Sequence, residues 1–378
     1  MKVAFSDSPS DPTHFGTGWA SGTFAIAAGI LGLGGVLCLR FPSLLVTAEA
    51  RSLYPLPIVR ALIYFFLVAA FALGVLSLCL RKNKALGLTA VVLAAGATAL
   101  GGASTPVPAN ISEGSFLGLD WFLLNLLFWS AICIPLERLF HRRRQPVFRP
   151  SWRTDLSYFF LINLLVGFST LATMRPAIVL FSWAAFPSLQ HAVSHQPIWL
   201  QFIEILIVAD FTQYWIHRAF HQIPMLWRFH AVHHSTEEMD WLAGSRLHVV
   251  DQIVTHSLIF IPVFVLGFSM PAMVAYVAVI SLQATFIHAN VRWTFPILRE
   301  FLVTPQFHHW HHAAEAEAID TNFAVHLPAL DRLFGTYHMP PDRWPEAYGI
   351  EGHPVPPGFL KQLIYPFQRP KPTLDDSQ

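Results

Sequence analysis

The chain has 378 residues, of which 54% are apolar, 14% aromatic and only 12% charged, whereas soluble domains carry roughly 25% charged residues. This composition, with a mean hydropathy of +0.47, predicts a membrane protein and excludes an ordinary soluble domain. The net charge of +1 provides no general attraction for nucleic acid, so we exclude that class of partner.

Five apolar runs in the first half of the chain approach the roughly 20 residues that cross a bilayer as a helix. They cover residues 19–39, 57–80, 85–104, 116–136 and 156–174. The first follows a polar tail that has no basic region, so we predict a retained span and not a cleaved signal peptide. Further along, a mixed stretch at 177–187 precedes a predicted span at 197–215.

A second pair of apolar runs, 252–267 and 271–288, is interrupted by Gly267 and Pro271. This pattern predicts a helical hairpin whose halves are near the short limit for a span. The predicted fold class is therefore an all-α, polytopic helical membrane protein. We predict N-terminal transmembrane helices over 1–137, a catalytic domain over 138–340, and an extended Pro-rich tail over 341–378.

The loop charges predict how the spans are oriented. Lysine and arginine concentrate at 81–84 and at 138–153, whereas the loop between the third and fourth spans has neither. By the positive-inside rule both basic segments are cytoplasmic, with Arg40, Arg51 and Arg60 as contrary evidence. This orientation predicts that the segments after residue 215 and after the hairpin lie at the cytoplasmic face.

Those segments contain an unusual density of histidine. Twelve of the nineteen histidines fall between His217 and His312, and nine of these lie in the blocks HRAFH at 217–221, HAVHH at 230–234 and HHWHH at 308–312. All of the nine except His309 have a spacing that suits metal ligation. Helix positions three or four apart share a face, so each block is expected to project its imidazoles together. Eight ligands exceed the four of one tetrahedral zinc site, so the count predicts two metal ions in a dinuclear redox centre.

The histidine blocks and their surroundings resemble the fatty acid hydroxylase superfamily, also called the sterol desaturase family. The motifs are DFTQYWIHRAFH at 210–221, WRFHAVHHS at 227–235, SRLH at 245–248, FIHAN at 286–290, TPQFHHWHH at 304–312 and NFAVHLPALDRLFGTYH at 322–338. The resemblance implies an integral membrane di-iron oxygenase that acts on lipids. The ligands that it implies are His217, His221, His230, His233, His234, His288, His308, His311 and His312.

Two family positions depart from the pattern. Some hydroxylases of the superfamily carry a further histidine where this chain has Ala284, and Val249 follows His248 where relatives often have proline. The resemblance therefore leaves His248 undecided between a metal ligand and a partner of a ligand. His309, about 100° around a helix from His308, is predicted to face a hydrogen-bond acceptor or solvent.

Asp210 and Asp251 are candidates for a supporting role. A ligating imidazole usually donates its remaining N–H to a carboxylate or carbonyl. Asp210 lies two helical turns before His217, so we predict that it points toward the cluster. A salt bridge to Arg218 or Arg246 is the alternative.

The predicted function is hydroxylation of a lipid C–H bond with dioxygen and external electrons, and lipid desaturation at the same centre is the close alternative. The predicted cofactors are two iron ions, with zinc as an incorrect occupant after heterologous expression. The sequence contains no GxGxxG motif and no haem or ferredoxin module, so a separate reductase with a cytochrome or ferredoxin carrier is predicted as the electron donor.

Two further classes are kept as alternatives. A histidine-rich metal transporter or metal sensor would place ionisable ligands at mid-membrane along several spans, whereas these histidines gather toward one membrane face. A zinc hydrolase is disfavoured because the HExxH motif is absent from the sequence.

Overall fold

The computed structural model of the chain describes residues 16–107, 117–341, 343–352 and 354–368. Within these ranges the regular structure is helical and contains no β-strand, as the fold class predicted. The sixteen α-helices of these ranges are α1 Trp19–Arg40, α2 Pro42–Leu45, α3 Ala48–Leu53, α4 Leu56–Leu80, α5 Ala85–Ala99, α6 Leu119–Phe140, α7 Trp152–Leu164, α8 Val166–Phe181, α9 Pro187–Ser194, α10 Ile198–Gln222, α11 Pro224–His234, α12 Val249–Leu266, α13 Met270–His288, α14 Pro305–His311, α15 Ala329–Phe334 and α16 Phe359–Ile364.

Six helical segments of the described ranges are long and apolar enough to cross a membrane. They are α1, α4, the segment Ala85–Ser104 that begins with α5, α6, α12 and α13. The four spans predicted before residue 137 and the two halves of the predicted hairpin correspond to these segments. Gly267 ends α12 with a φ of 74°, a left-handed conformation that glycine adopts without steric cost, and Pro271 lies in the first turn of α13.

Two of the predicted spans belong to bent pairs of helices. The run 156–174 is split into α7 and α8, which meet at a 60° bend, and Gly167 in the first turn of α8 weakens helical continuity there. The predicted span 197–215 lies in α10, which meets α9 at a 120° bend. Pro197 lies at this bend and immediately precedes α10. Each bent pair qualifies as a broken span or a re-entrant segment, which gives up to eight crossings within the described ranges.

The chain divides into two compact units. The first comprises residues 1–128 and 163–168, and the second comprises residues 129–162 and 169–378. In the first unit α1, α4 and α5 pack closely through small residues, as membrane helices do. A Cβ placed on Gly87 of α5 would lie 2.6 Å from the carbonyl oxygen of Gly74 on α4, so this contact requires glycine.

The second unit holds all of the candidate ligands. Its apolar core is formed where α10 packs against α12 and α13, with Ile205, Ala209, Val263 and Ala272 buried. Helices α10, α12 and α13 therefore supply most of the side chains of this core, and α10 and α13 each also carry candidate ligands near their C-terminal ends.

The C-terminal region differs from its prediction as an extended tail. Helix α16 packs against the body of the second unit, with Phe359 and Leu363 on the cluster that contains Tyr158 and Val232. Packing removes the apolar side chains of this short helix from water, which favours the packed helix over a solvated tail. The first fifteen residues, with His14, and residues 369–378 lie outside the described ranges.

Candidate metal centre

Four helices deliver the nine histidines that the sequence analysis singled out. His217 and His221 lie near the end of α10, His288 ends α13, and the other two blocks lie on α11 and α14. Helices α11 and α14 each begin with proline at the first position, Pro224 and Pro305, where the missing N–H costs no hydrogen bond. Both helices are short, and their histidines are buried.

The nine imidazoles form two groups, each with ligand atoms that lie within 4.8 Å of one another. The five-histidine group consists of His217, His221, His230, His234 and His311. The four-histidine group consists of His233, His288, His308 and His312. The two groups adjoin each other, because the rings of His234 and His312 stack nearly parallel with centroids 4.4 Å apart.

The partition corrects one expectation, that each block projects its imidazoles in a single direction. His233 and His234 belong to different groups, as do His311 and His312. Adjacent helical positions are about 100° apart, so neighbouring histidines diverge. Each of these two blocks therefore contributes to both groups.

The ring nitrogens fit a bound metal. In the four-histidine group, His308 Nε2 lies 2.9 Å from His288 Nε2 and 3.1 Å from His312 Nε2. Two nitrogens bound at right angles to one metal at about 2.1 Å would be about 3 Å apart. In the five-histidine group, the buried Nε2 atoms of His221, His234 and His311 have no hydrogen-bond partner within the part of the chain that the structure describes. Such desolvated lone pairs are costly unless something binds them.

The protonation states also suit metal binding. Burial, with smaller contributions from neighbouring imidazoles, holds the pKa of His234 and of His312 well below the ordinary value. These rings are therefore neutral at neutral pH, and neutral imidazole is the form that binds a metal.

Asp251 supports the five-histidine group directly. Its carboxylate accepts a 2.7 Å hydrogen bond from Nδ1 of His230, and it also accepts the hydroxyl of Thr255. His230 then presents Nε2 toward His217 Nε2, 3.0 Å away. The structure thus brings this predicted residue to the position that a carboxylate partner of a ligand would occupy.

The four-histidine group has backbone acceptors instead. His233 Nδ1 donates to the carbonyl of Arg246, and His288 Nδ1 donates to that of Ala284. Gly244 packs against the His288 ring, since a Cβ there would lie 2.8 Å from Nδ1. Arg246 is itself fixed by a 2.5 Å bond to the buried Asp155.

Asp210 lies elsewhere than predicted. Its fully buried carboxylate accepts the backbone N–H groups of Val325, His326 and Leu327 at 2.7–3.1 Å. It therefore contacts neither a histidine ring nor Arg218 or Arg246, the two partners expected from the sequence. Helical spacing places Asp210 on the same face as His217. The segment Val325–Leu327 lies against that face, and its N–H groups donate to the carboxylate.

His248 and His309 are outside both histidine groups. His248 caps the start of α12, where Nδ1 accepts the N–H of Val250, and its Nε2 lies 3.1 Å from the carbonyl of Leu363. Both of its nitrogens are thus engaged in hydrogen bonds. Nδ1 of His309 lies 2.8 Å from the hydroxyl of Tyr348.

Residues that the sequence analysis did not assign complete the surroundings. Asp320 Oδ1 lies 3.3 Å from His221 Nδ1, and the carbonyls of Thr321 and Phe323 accept from His311 and His217. No local sequence signal marks a backbone carbonyl as a histidine partner. Asn322 and Asp331 brace this same turn through hydrogen bonds to the backbone.

A cavity of about 310 Å³ opens onto the five-histidine group. His221, His234 and His311 are among its lining residues, as are Asp320 and Glu351. None of the four histidines of the second group lines this cavity. A molecule that enters this cavity therefore meets the five-histidine group.

Comparison with known proteins places the chain in a family. The family model described as Fatty acid hydroxylase matches residues 202–336. The chain is 30% identical over 274 residues to an ornithine lipid hydroxylase of Rhizobium tropici, and the match covers 68% of this chain and 78% of the relative.

Other relatives match over shorter regions. The alkylglycerol monooxygenase of Homo sapiens is 32% identical over 148 residues, which cover 39% of this chain and 32% of that protein. A very-long-chain aldehyde decarbonylase of Oryza sativa subsp. japonica is 29% identical over 140 residues, or 34% of this chain and 21% of that protein. No solved structure matches significantly.

The chain thus combines apolar helices that can span a membrane with two buried histidine groups inside the matched region. It also aligns with most of the length of a lipid hydroxylase. The chain is a multi-pass membrane oxidoreductase of the lipid hydroxylase and monooxygenase class, and it belongs to the fatty acid hydroxylase family.

Proposed function

We propose that this enzyme is a di-iron oxygenase that inserts one oxygen atom from dioxygen into a C–H bond of a membrane lipid. The observation that carries the proposal is the convergence of nine histidines, seven of them buried, into two adjoining groups, each sized for one metal. The proposed ligands are the five and the four histidines of these groups.

Iron is the metal we propose for both groups. Imidazole binds iron, zinc and copper, but zinc has no redox chemistry with which to activate dioxygen. A pair of reduced irons supplies that activation when bound. Zinc can occupy the same imidazoles after heterologous expression, so metal content needs to be controlled in any activity measurement.

The protein itself orients the histidine rings, excludes water from the centre and binds the substrate. The Nδ1 acceptors fix the ring orientations, and burial removes water from the nitrogens that face the centre. The cavity gives a substrate access to the five-histidine group, so we propose that the reacting carbon lies there. For each hydroxylation one oxygen atom enters the lipid and the other leaves as water, which consumes two electrons and two protons.

The proposed substrate is a membrane lipid, since two of the relatives are named for ornithine lipid and for alkylglycerol. We propose hydroxylation in preference to desaturation because these relatives are a hydroxylase and a monooxygenase. A separate reductase with a cytochrome or ferredoxin carrier supplies the electrons in this proposal, because the sequence contains no nucleotide-binding GxGxxG motif.

Labelled dioxygen tests the proposed reaction. Reconstituted, iron-loaded protein with a chemical reductant is expected to consume dioxygen and to yield lipid that carries one labelled oxygen, measured by mass spectrometry. A desaturase would yield lipid that has lost two hydrogens and carries no label. Unchanged lipid together with metal movement across the vesicles would instead support the transporter alternative.

We further propose that the centre lies at the cytoplasmic face, on the basis of the arginines at 138–153. In a background with Cys38, Cys79 and Cys133 replaced, an impermeant thiol reagent added to intact cells is expected to spare cysteines placed at Gln145 and Ala314. A cysteine at Ala109, in the predicted external loop but outside the described ranges, is expected to react. Labelling at Ala314 from outside would put the centre on the opposite face.

A further inference from the structure

One short segment, Asp320–Leu327, supplies most of the outer partners of the five-histidine group. The Asp320 carboxylate lies beside His221 Nδ1, the Thr321 carbonyl accepts from His311, and the Phe323 carbonyl accepts from His217. Three of the five rings are therefore oriented by four consecutive residues. We call residues 320–327 the orienting segment.

The orienting segment has an irregular backbone. Asp320 and Asn322 have φ values of 58° and 59°, in the left-handed region that aspartate and asparagine adopt more readily than other non-glycine residues. This conformation turns the carbonyls on either side of Asn322 toward the histidines. Non-glycine residues keep such a conformation only when the surrounding structure imposes it.

Asp331 holds the middle of the segment. Its buried carboxylate accepts the N–H of Phe323 at 2.7 Å and that of Ala324 at 2.9 Å, and also accepts the hydroxyl of Thr336. Burial raises the pKa of Asp331 to about 6, so the group is mostly ionised at neutral pH. An ionised carboxylate is a strong acceptor for backbone N–H groups.

Asp210 holds the end of the segment. Its carboxylate accepts three successive N–H groups, those of Val325, His326 and Leu327. Asp210 lies on α10, two turns before His217, so the helix that carries two ligands also anchors the segment that orients them. Asn322 adds a third brace by donating to the carbonyls of Phe307 and His338.

The hydrogen bonds that orient the rings of the four-histidine group come from outside this segment. The two rings of that group with a hydrogen-bonded Nδ1 donate to the carbonyls of Arg246 and Ala284, which belong to other parts of the unit. Nδ1 of His308 and of His312 has no partner among the described residues. The two groups are thus supported by different pieces of the fold.

We propose that the orienting segment controls metal binding in the five-histidine group alone, and that Asp210 and Asp331 are positioning residues for that one metal. The inference rests on the proposed two-metal centre. In this proposal Asp210 fixes the orientation of the His217 ring indirectly. Its carboxylate holds the backbone of Val325–Leu327, and the same segment carries the Phe323 carbonyl that accepts from His217. The two metals are also unequal, because only the rings of the five-histidine group are oriented by residues of this segment.

Metal release tests this inference. Iron(II)-loaded full-length protein in detergent is mixed anaerobically with a chromogenic iron(II) chelator, and two release phases are expected. The variants His311→Ala and His312→Ala assign the phases, because each removes a ligand from one group. Asp331→Asn and Asp210→Asn replace an acceptor oxygen with a donor that faces a backbone N–H, so each is expected to speed release from the five-histidine group about 10–100-fold. The other phase is expected to stay unchanged.

Two further variants keep the test decisive. Asp320→Ala changes a side chain that is 47% exposed, so the protein is expected to fold normally and still to release the same metal faster. Asp155→Asn alters an equally buried carboxylate that bonds Arg149 and Arg246 and does not touch the segment. This control is expected to leave release from the five-histidine group unchanged.

The outcomes separate the two proposals. Wild-type protein that binds two irons, but in which the Asp331 and Asp210 variants speed both phases equally or neither, would overturn the inference about the segment alone. Wild-type protein that binds fewer than two irons would overturn the two-metal centre and this inference together. Selective acceleration of the His311-dependent phase supports the inference.

Discussion

Replacing His311 or His312 with alanine is expected to reduce the iron content from about two ions per chain to about one. Each substitution removes a ligand from only one of the two groups, His311 from the five-histidine group and His312 from the four-histidine group. Turnover is expected to fall by more than about 100-fold in both variants, because losing a ligand exceeds the 10–100-fold effect of losing a ligand's hydrogen-bond partner. Elemental analysis and turnover of the purified proteins measure both quantities.

His191→Ala is the matched control for the ligand variants. His191 is an exposed histidine on α9, and its ring stacks on that of His195, away from both groups. Iron content and turnover are expected to match those of the wild type. Two ions retained in the His311 and His312 variants, or a single ion in the wild type, would contradict the assignment of one metal to each group.

Removing the Asp251 carboxylate is expected to weaken iron binding in the five-histidine group by about 10–100-fold. Asp251→Ala leaves His230 Nδ1 without its 2.7 Å acceptor, so the ring loses both its fixed orientation and a nearby negative charge that strengthens it as a ligand. Asp251→Asn keeps an acceptor oxygen and removes only the charge, so a smaller loss is expected. Equilibrium titration with an iron(II) chelator measures the series.

Thr255→Val provides the control for Asp251. The hydroxyl of Thr255 donates to Asp251 at 3.2 Å and has no contact with the imidazole of His230. Its loss is expected to change iron affinity by only a few-fold. Equal affinities for the wild-type and Asp251→Ala proteins would show that this carboxylate does not support the ligand.

The nine candidate ligands could be named from the sequence, but their division into two groups could be predicted only in part. Spacings of three and four residues predicted that the blocks face inward together. The same helical geometry separates His233 from His234 by about 100°, and which of them joins which group depends on where α13 places His288. The position of His288 depends on how the helices pack, so it cannot be predicted from the residues of one histidine block.

The carboxylates illustrate the difference most clearly. Asp251 was predicted to support a ligand and lies at His230. Asp210 was predicted to point at the cluster, but its carboxylate binds backbone N–H groups of a segment more than a hundred residues later. Asp320, which lies beside His221, was not singled out at all. Helical periodicity predicts the direction in which a side chain points, but it does not predict which distant residues contact that side chain in the folded protein.

The membrane class, six of the spans, the Gly267–Pro271 break and the set of candidate ligands could all be predicted from sequence patterns. These features depend on composition and on spacings of a few residues, which local geometry converts directly into structure. The division into two groups, the bends before α8 and α10, the packing of α16 and the orienting segment became visible only in the folded chain. Those features depend on contacts between residues far apart in the chain, where burial and the need to satisfy buried N–H groups and carboxylates select the partners.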